Sequence, residues 1–219
     1  MISRKKVLEM IDSGEGLNVE YKQRFSSHEK IAKEIIAFAN TRGGFLLIGV
    51  DDNRKIYGIA GEKGDNDLIR EVAEKYCEPK VDINLECMNI EKKDILVVEI
   101  PESNNKPHRI QDYKTSLDLN TASVYVRVND KSVLASKEMI KILQTNARGK
   151  SLEHYEVGSS EKAVFVFLDK NEKITVKELG KLANISDRRA SRTLIKLVRA
   201  NILLIHTKDN GESYFTYAG

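Results

Sequence analysis

Apolar and polar residues alternate one by one between residues 19 and 25. Val19 and Tyr21 face one side of this segment, and Glu20 and Lys22 face the other. A period of two is the pattern of a β-strand with one buried and one polar face. The sequence therefore predicts a strand here, with two charged side chains on the same face.

The pattern changes to helical spacing after this strand. Ser27 is a predicted N-cap for the helix that follows. The buried stripe of that helix is made of Ile31, Ala32, Ile35, Phe38 and Ala39. Gly43-Gly44 then allows a tight turn. The continuous apolar run after this turn predicts a buried strand over 45–51, which ends at the aspartate pair 51–52.

Further helices and strands are interspersed up to about residue 147. Helices are predicted over residues 4–12, 67–76 and 136–147, and strands over 56–59, 81–88, 94–100 and 123–129. The polar segment 102–122 is predicted to be a loop that contains a short strand. Hairpins and helices in this order favour an α+β fold with a mixed sheet over a doubly wound parallel sheet.

The pattern changes again after residue 148 and predicts a second, smaller domain. Residues 149–160 contain glycines and serines, and they form the predicted linker between domains over 1–148 and 161–219. Helices are predicted over 162–168, 176–183 and 186–199, and strands over 201–206 and 213–217 on either side of an Asn-Gly turn. Three helices followed by a β-hairpin resemble a winged helix-turn-helix module.

Composition narrows the class of protein. The 219 residues are 41% hydrophobic and 32% charged, and no apolar run approaches the roughly 20 residues needed to span a bilayer. The basic start, Met1–Lys6, is not followed by the apolar segment of a signal peptide. Cys77 and Cys87 are too few for a disulfide framework or a cysteine-rich zinc site. A cytoplasmic protein without a membrane partner is the expectation.

A basic surface must arise locally, because the net charge of +3 is too small to identify a nucleic-acid-binding protein. The helix predicted over 186–199 provides such a surface. At about 100° per residue, its cations fall on one arc of roughly 100° and its apolar residues on the opposite side. These cations are Arg188, Arg189, Arg192, Lys196 and Arg199. This face suits the major groove of DNA, with Ser191 and Thr193 as further hydrogen-bonding groups. A solvated face on a protein-interaction module is the alternative.

Three segments in order resemble the hallmarks of the Schlafen AlbA-like domain. The family pattern is Glu-x-x-x-x-Glu-Phe-Lys, then Phe-Ala-Asn-Thr-x-Gly-Gly, then a strand ending in Gly-Val-x-Asp. The matching segments here are Glu15 to Lys22, Phe38 to Gly44 and Gly49 to Asp52. Tyr21 replaces the family's Phe. Lys106-Pro107-His108 and Tyr125-Val126-Arg127 look like later landmarks, so the resemblance extends to about Leu143. A role in loop structure is expected for His108.

The resemblance implies a candidate acidic site. Some Schlafen proteins cleave RNA, and the match places their acidic triad on Glu15, Glu20 and Asp52. Converging carboxylates suit Mg²⁺ or Mn²⁺, which prefer oxygen ligands and activate water beside a phosphate. Lys22 lies on the same strand face as Glu20 and would neutralise that phosphate. The alternative is that Glu20 forms a surface ion pair with Lys22 or Arg24, and that the two aspartates only form a turn.

Three functions remain open on the sequence. The first is a nucleic-acid-binding protein, most simply a DNA-binding transcriptional regulator that needs no cofactor. The second is an endoribonuclease of the Schlafen type that uses Mg²⁺ or Mn²⁺ and acts on structured RNA. A protein-interaction adaptor is a third class. Schlafen cores in larger proteins resemble two facing lobes and this chain has one, so we expect a homodimer whose recognition helices reach successive major grooves.

Overall fold

A four-stranded sheet forms the centre of the first of two units. The structure is a computed structural model that describes residues 2–146 and 157–218, and it divides into Met1–Leu134 and Ala135–Gly219. The sheet has the order β1 (Val19–Lys22), β2 (Gly44–Ile48), β5 (Lys93–Ile100) and β4 (Asn84–Ile90). β1 runs parallel to β2, and the other neighbours are antiparallel. The predicted α+β fold with a mixed sheet is confirmed.

Helices cover both faces of this sheet. The helices of the unit are α1 (Arg4–Ser13), α2 (His28–Asn40) and α3 (Glu62–Glu71), and α3 continues as a π-helical turn over Val72–Tyr76. α1 packs on one face, and α2 and α3 pack on the other. Two short pairs complete the unit: β3 (Cys77–Glu78) with β6 (Arg109–Ile110), and β7 (Tyr125–Val128) with β8 (Lys131–Leu134).

The period of two decides which side chains enter which core. On β2, Leu46 and Ile48 join the core beneath α2, whereas Leu47 joins the core beneath α1 together with Tyr21 of β1. All four side chains are at most 1% exposed. Fully burying a side chain of this size contributes about 1.5–3 kcal/mol. The alternation predicted for β1 is confirmed, because Tyr21 is buried on the side opposite Glu20 and Lys22.

A glycine pair makes the turn between α2 and β2. Gly43 has a φ of +70°, and a Cβ there would lie 2.7 Å from the backbone nitrogen of Glu102. A Cβ on Gly44 would meet the ring of Phe38 and would lie 2.7 Å from the carbonyl oxygen of Asn18. The helix and the strand approach this closely only because neither residue carries a side chain.

Several predicted elements have different bounds in the structure. β1 ends at Lys22 and not at residue 25, because Lys22 pairs with Ile48, where β2 also ends. The strand predicted over 56–59 is reduced to one bridge between Val50 and Ile56. β8 was not predicted. Its turn contains Asn129 with a φ of +55°, so the Asn-Asp pair at 129–130 was an available hairpin signal.

Four helices and a hairpin make up the described part of the second unit. They are α4 (Lys137–Asn146), α5 (Ser159–Leu168), α6 (Val176–Leu182), α7 (Asp187–Arg199), β9 (Leu203–Thr207) and β10 (Ser213–Tyr217). β9 and β10 are antiparallel, and Ile174 forms a bridge to Phe215 of β10. Ser186 caps α7 as predicted, since its side chain accepts a hydrogen bond from the amide of Arg189.

The core of the second unit joins these helices to the hairpin. It contains Val164, Leu168, Leu179, Leu194, Leu197, Leu203 and Phe215. α4 belongs to this unit and packs against α7, whereas the sequence grouped it with the first domain. The predicted boundary after residue 148 and the predicted linker residues 149–156 lie outside the described residues. Across the described ranges, no helix combines the length and the apolar character needed to cross a membrane.

We expect Gly44→Ala to destabilise the protein by about 1–3 kcal/mol, because the added methyl group overpacks the turn against Phe38 and Asn18. Urea denaturation measures this loss as a shift of the midpoint. Gly64→Ala is the matched control, since Gly64 lies within α3 and a Cβ there meets nothing within 4 Å. That control should gain up to about 1 kcal/mol through helix propensity. Equal midpoints for the two variants would contradict the close approach.

Candidate functional site

The basic face of α7 separates into an exposed half and a partly engaged half. Arg188, Arg189 and Arg192 are exposed, and they lie on the side opposite the buried residues Ala190, Leu194 and Leu197. Lys196 is half-exposed, and its Nζ lies 4.0 Å from a carboxylate oxygen of Glu161. Arg199 is half-buried, and its Nε has no hydrogen-bond partner in the described part of the chain. The free cationic surface is therefore concentrated in the first two turns of the helix.

Ser191 and Thr193 do not lie on this exposed face. They are 4% and 7% exposed, and the Ser191 hydroxyl donates a hydrogen bond of 2.6 Å to Glu138 of α4. The prediction that these residues add hydrogen-bonding groups to a DNA-facing surface is wrong. The helical arc placed the cations correctly, but it contained no information about α4, which packs against α7 and contacts it at Ser191.

The three predicted acidic residues lie around the parallel strand pair. Glu20 is on β1, Glu15 lies in the turn before it, and Asp52 lies in the exposed turn after β2. The Glu15 carboxylate accepts a hydrogen bond of 2.8 Å from the amide of Tyr21. Burial raises the pKa of Glu15, the Tyr21 amide opposes this shift, and the charges of Glu20 and Asp52 add to it. Glu20 and Asp52 are thus close enough to Glu15 for their charges to act on it.

Arg127 of β7 is the residue around which this region is organised. Its side chain is fully buried, and its Nη1 lies 2.9 Å from a carboxylate oxygen of Glu20 and 3.3 Å from one of Glu34 on α2. Its Nη2 donates a hydrogen bond of 2.6 Å to the carbonyl oxygen of Gly16. The guanidinium also lies 4.6 Å from the centre of the Phe38 ring. One cation therefore joins β1, α2 and β7.

The two glutamates have further partners: the second oxygen of Glu20 is engaged, and the Glu34 oxygen that contacts Arg127 accepts another hydrogen bond. Lys22 forms an ion pair with Glu20 through the carboxylate oxygen that Arg127 leaves free. Ser132 of β8 donates a hydrogen bond to Glu34, and its hydroxyl oxygen also accepts one from Arg127. The Glu20–Lys22 ion pair considered from the sequence is present, but it is partly buried, because Glu20 is 8% exposed and the Lys22 side chain is 24% exposed. Sequence reasoning missed Glu34, and it treated Arg127 only as part of a landmark.

A sequence model of the family described as Schlafen, AlbA_2 matches residues 15–136. This chain belongs to the Schlafen AlbA_2 family. The family is associated with nucleic-acid binding. The matched segment begins at Glu15 and ends two residues after β8, so it contains every residue that touches Arg127.

Two solved structures resemble this family member. One is the N-terminal domain of a Nitrosomonas europaea protein related to the ATP-dependent DNA helicase RecG. It is 25% identical, the match covers 53% of this chain and 84% of that chain, and the TM-score is 0.43. The other is the DIP2311 protein from Corynebacterium diphtheriae. It is 16% identical, the match covers 98% of this chain and 43% of that chain, and the TM-score is 0.50. This second likeness concerns the fold alone.

The central AlbA_2 motif, Phe38 to Gly44, has a structural role in this chain. The Asn40 side-chain amide donates to the carbonyl oxygens of His108 and Tyr125 at 2.8 and 2.9 Å, and its oxygen accepts from the amide of His108 at 2.8 Å. The hydroxyl of Thr41 accepts a hydrogen bond of 2.9 Å from the amide of Arg127. The motif thus attaches α2 to the distant loop that contains His108 and to β7.

His108 is part of the same support. Its Nδ1 lies 2.7 Å from the carbonyl oxygen of Pro79, and its Nε2 lies 2.7 Å from the hydroxyl of Ser103. Burial lowers the pKa of His108, so the ring is neutral at pH 7. A neutral ring then donates from Nδ1 to the carbonyl and accepts from Ser103. The geometry agrees with the expected role of His108 in loop structure.

Two of the predicted acidic residues of this AlbA_2 domain, Glu15 and Glu20, are already engaged by groups of the protein itself. Within the described ranges, no group of three or more His, Cys, Asp or Glu residues is placed to hold an ion. Lys22 and Arg127 occupy both carboxylate oxygens of Glu20, and one oxygen of Glu15 accepts the Tyr21 amide. Bound Mg²⁺ would require several free oxygen ligands. The protein's own cations therefore already neutralise the carboxylate that would have to bind a metal.

We expect Arg127→Met to cost about 3–5 kcal/mol of stability, because it leaves Glu20 and Glu34 buried without their cation. Chemical denaturation measures the loss. Arg42→Met is the control, since Arg42 is exposed. Adding Glu20→Gln and Glu34→Gln to Arg127→Met should recover part of the loss, because the uncompensated charges are removed. A cost no greater than that of the control would contradict the assigned role.

Proposed function

We propose that this chain is a DNA-binding transcriptional regulator, in which the second unit is a winged helix-turn-helix module that contacts duplex DNA. The observation that carries this proposal is the placement of Arg188, Arg189 and Arg192 on the exposed side of the first two turns of α7. In helix-turn-helix proteins the N-terminal residues of the second helix contact base edges. Guanidinium groups there can bind phosphates or the acceptor edge of guanine.

The elements around α7 support this interpretation. α6 and α7 are joined by a short turn that contains Asn184 with a φ of +50°. The hairpin that follows α7 carries His206 and Tyr214 as a stacked pair with ring centres 4.8 Å apart. Lys173 lies 5.6 Å from the Tyr214 ring. In the proposed module this hairpin is the wing, and its aromatic pair and lysine contact the DNA backbone.

The first unit acts as a rigid platform in this proposal, without catalysis and without a cofactor. The Arg127 cluster supports this role, because it neutralises Glu20 with protein cations and ties three elements together. A charged cluster of this kind stabilises the fold only while all of its partners are present. Cytoplasmic localisation is part of the same proposal.

A divalent-metal endoribonuclease acting on structured RNA remains the alternative. The observation in its favour is the electrostatic coupling of Glu15 to Glu20 and Asp52. Incubation of the purified protein with tRNA and Mn²⁺, with EDTA as control, separates the two functions. Cleavage that EDTA abolishes and Glu20→Gln removes would establish the nuclease in place of the regulator.

We expect the triple change Arg188→Ala, Arg189→Ala and Arg192→Ala to abolish retention of a short mixed-sequence DNA duplex. The slope of log K against log salt should fall by roughly one unit for each DNA phosphate that the variant no longer neutralises. Fluorescence anisotropy over a salt series measures both quantities. Alanine is the best helix former, so α7 itself should be preserved.

The control for this experiment removes the same charge from the first unit. Lys30, Lys63 and Lys80 are exposed there and are replaced together by alanine. Retention close to that of the unchanged protein is expected. An equal loss in both triple variants would mean that binding follows net charge, and it would remove α7 from the DNA-contacting role.

We also propose that the protein acts as a homodimer, with its two copies of α7 spaced to reach successive major grooves about 34 Å apart. A two-fold dimer matches the symmetry of palindromic half-sites. Light scattering at micromolar concentration should give about twice the 24.8 kDa mass of one chain. A mass close to 24.8 kDa, both with and without duplex DNA, would contradict the dimer.

A further inference from the structure

A groove of about 520 Å³ lies at the carboxyl ends of the parallel strands β1 and β2. In sheets with parallel strands, the crevice outside the carboxyl ends is a common position for ligands. A volume of this size falls within the usual range of small-molecule sites. The residues used below line it from the end of β1, the end of β2, the loop 49–60 and the first turns of α3: Gln23, Arg24, Ile48, Tyr57, Ile59 and Asp65.

The loop that forms one wall of this groove is held in place by the sheet. The amides of Tyr57 and Gly58 both donate hydrogen bonds to the carbonyl oxygen of Gly49, at 2.8 and 3.0 Å. The amide of Ile59 donates one of 2.7 Å to the carbonyl oxygen of Asp94. Gly49 and Gly58 have φ values of +102° and +84°, and a Cβ on Gly49 would lie 3.0 Å from Gly58. The groove is therefore formed before any ligand binds.

Three kinds of chemistry meet in this groove. Ile48 and Ile59 are apolar, and the Tyr57 ring, 44% exposed, adds an aromatic surface. The Nζ of Lys55 lies 4.9 Å from the centre of this ring, so a ligand would stack on the face that Lys55 leaves open. Arg24 and Gln23 are exposed, and their side chains make no hydrogen bond or ion pair within the described ranges. Asp65 is half-buried, and in the same ranges its carboxylate has no such partner either. A flat surface, a cation, an amide and a carboxylate are thus all available to one ligand.

The combination excludes simpler ligands. A purely apolar molecule would desolvate Arg24, Gln23 and Asp65 without replacing their hydrogen bonds to water. A divalent cation would meet one carboxylate and a repelling guanidinium. An inorganic anion would use Arg24 but neither the aromatic ring nor the carboxylate. A ligand that satisfies all of them has a flat ring with N–H donors and one attached anionic group.

We propose that this groove binds a nucleotide, with the base stacked on Tyr57, the phosphate on Arg24, and the base edge hydrogen-bonded to Asp65 and Gln23. Guanine fits best, because its base-pairing edge presents neighbouring N–H donors to the acceptor oxygens of Asp65. Arg24 is the cation among the lining residues and binds the phosphate in this proposal. The nucleotide is either free or part of a single strand. The site is independent of the duplex contact proposed for α7.

Calorimetric titration with guanosine monophosphate tests the base and the phosphate separately. Ribose 5-phosphate lacks the base and should bind at least about fivefold more weakly, in line with the 1–3 kcal/mol of one stacked base. Guanosine lacks the phosphate that Arg24 would bind, and it should also bind at least about fivefold more weakly. A short single-stranded RNA that contains guanine forms the second arm. Binding of the free nucleotide identifies a free ligand, and binding of the RNA alone identifies a strand. Equal binding of ribose 5-phosphate and guanosine monophosphate would overturn the proposal, as would no binding in either arm at millimolar concentration.

Matched variants assign the binding to the groove. Tyr57→Ala should weaken binding of whichever probe is bound by at least about fivefold, and Tyr57→Phe should retain it. Tyr113→Ala is the control for the ring, because Tyr113 is 89% exposed and does not line the groove.

Arg24→Gln should also weaken binding, and Arg70→Gln is its control, because Arg70 is exposed. Equal losses in a variant and its control would overturn the proposal. Duplex DNA binding should be unchanged by Tyr57→Ala, which keeps this test separate from that of α7.

Discussion

The first unit depends on one guanidinium that is removed from water. Arg127 brings its positive charge into a space shared by β1, α2 and β7, where it meets two carboxylates, a carbonyl oxygen and an aromatic ring. Removing such a group from water is costly, and the partners of its two terminal nitrogens offset the cost, whereas its Nε has no hydrogen-bond partner within the described ranges. The surrounding backbone must therefore place Glu20, Glu34 and Gly16 together. The glycine turn and the Asn40 hydrogen bonds serve the same geometry.

The same interaction also decides how the buried carboxylate of Glu20 is neutralised. A carboxylate on a parallel strand can be neutralised by a bound cation or by the protein's own cations. In this chain Arg127 and Lys22 neutralise Glu20. A divalent ion would have to displace at least one of them. The acidic hallmark that the family resemblance interprets as chemistry has here a structural explanation that involves the same residue.

Most of the secondary structure was predictable, because it follows from local periodicity. The α1 and α2 helices, the alternation of β1, the caps of α2 and α7 and the C-terminal hairpin all depend on residues close together in sequence. The predicted bounds of an element were wrong where a neighbouring strand decides them. β1 ends at Lys22 because its partner Ile48 is the last residue of β2. The site was less predictable. Glu20 and Arg127 lie 107 positions apart, and no local pattern relates them. The predicted role of Ser191 at a DNA-facing surface was wrong for the same reason, because its hydrogen-bond partner Glu138 belongs to α4.

The hydrogen bonds of Asn40 have a consequence for the order of assembly. Its side-chain partners, His108 and Tyr125, follow it by 68 and 85 positions. During synthesis α2 is complete long before the segments that satisfy its amide and neutralise Glu34. Until those segments have been synthesised, hydration of the Asn40 amide and the Glu34 carboxylate is more favourable than their burial. The first unit therefore closes by non-local contacts that reach across 107 positions at Glu20 and Arg127, and contacts of this kind form slowly. After residue 158 the span is shorter, 52 positions between Phe165 and Tyr217, so less of the chain must emerge before that contact can form.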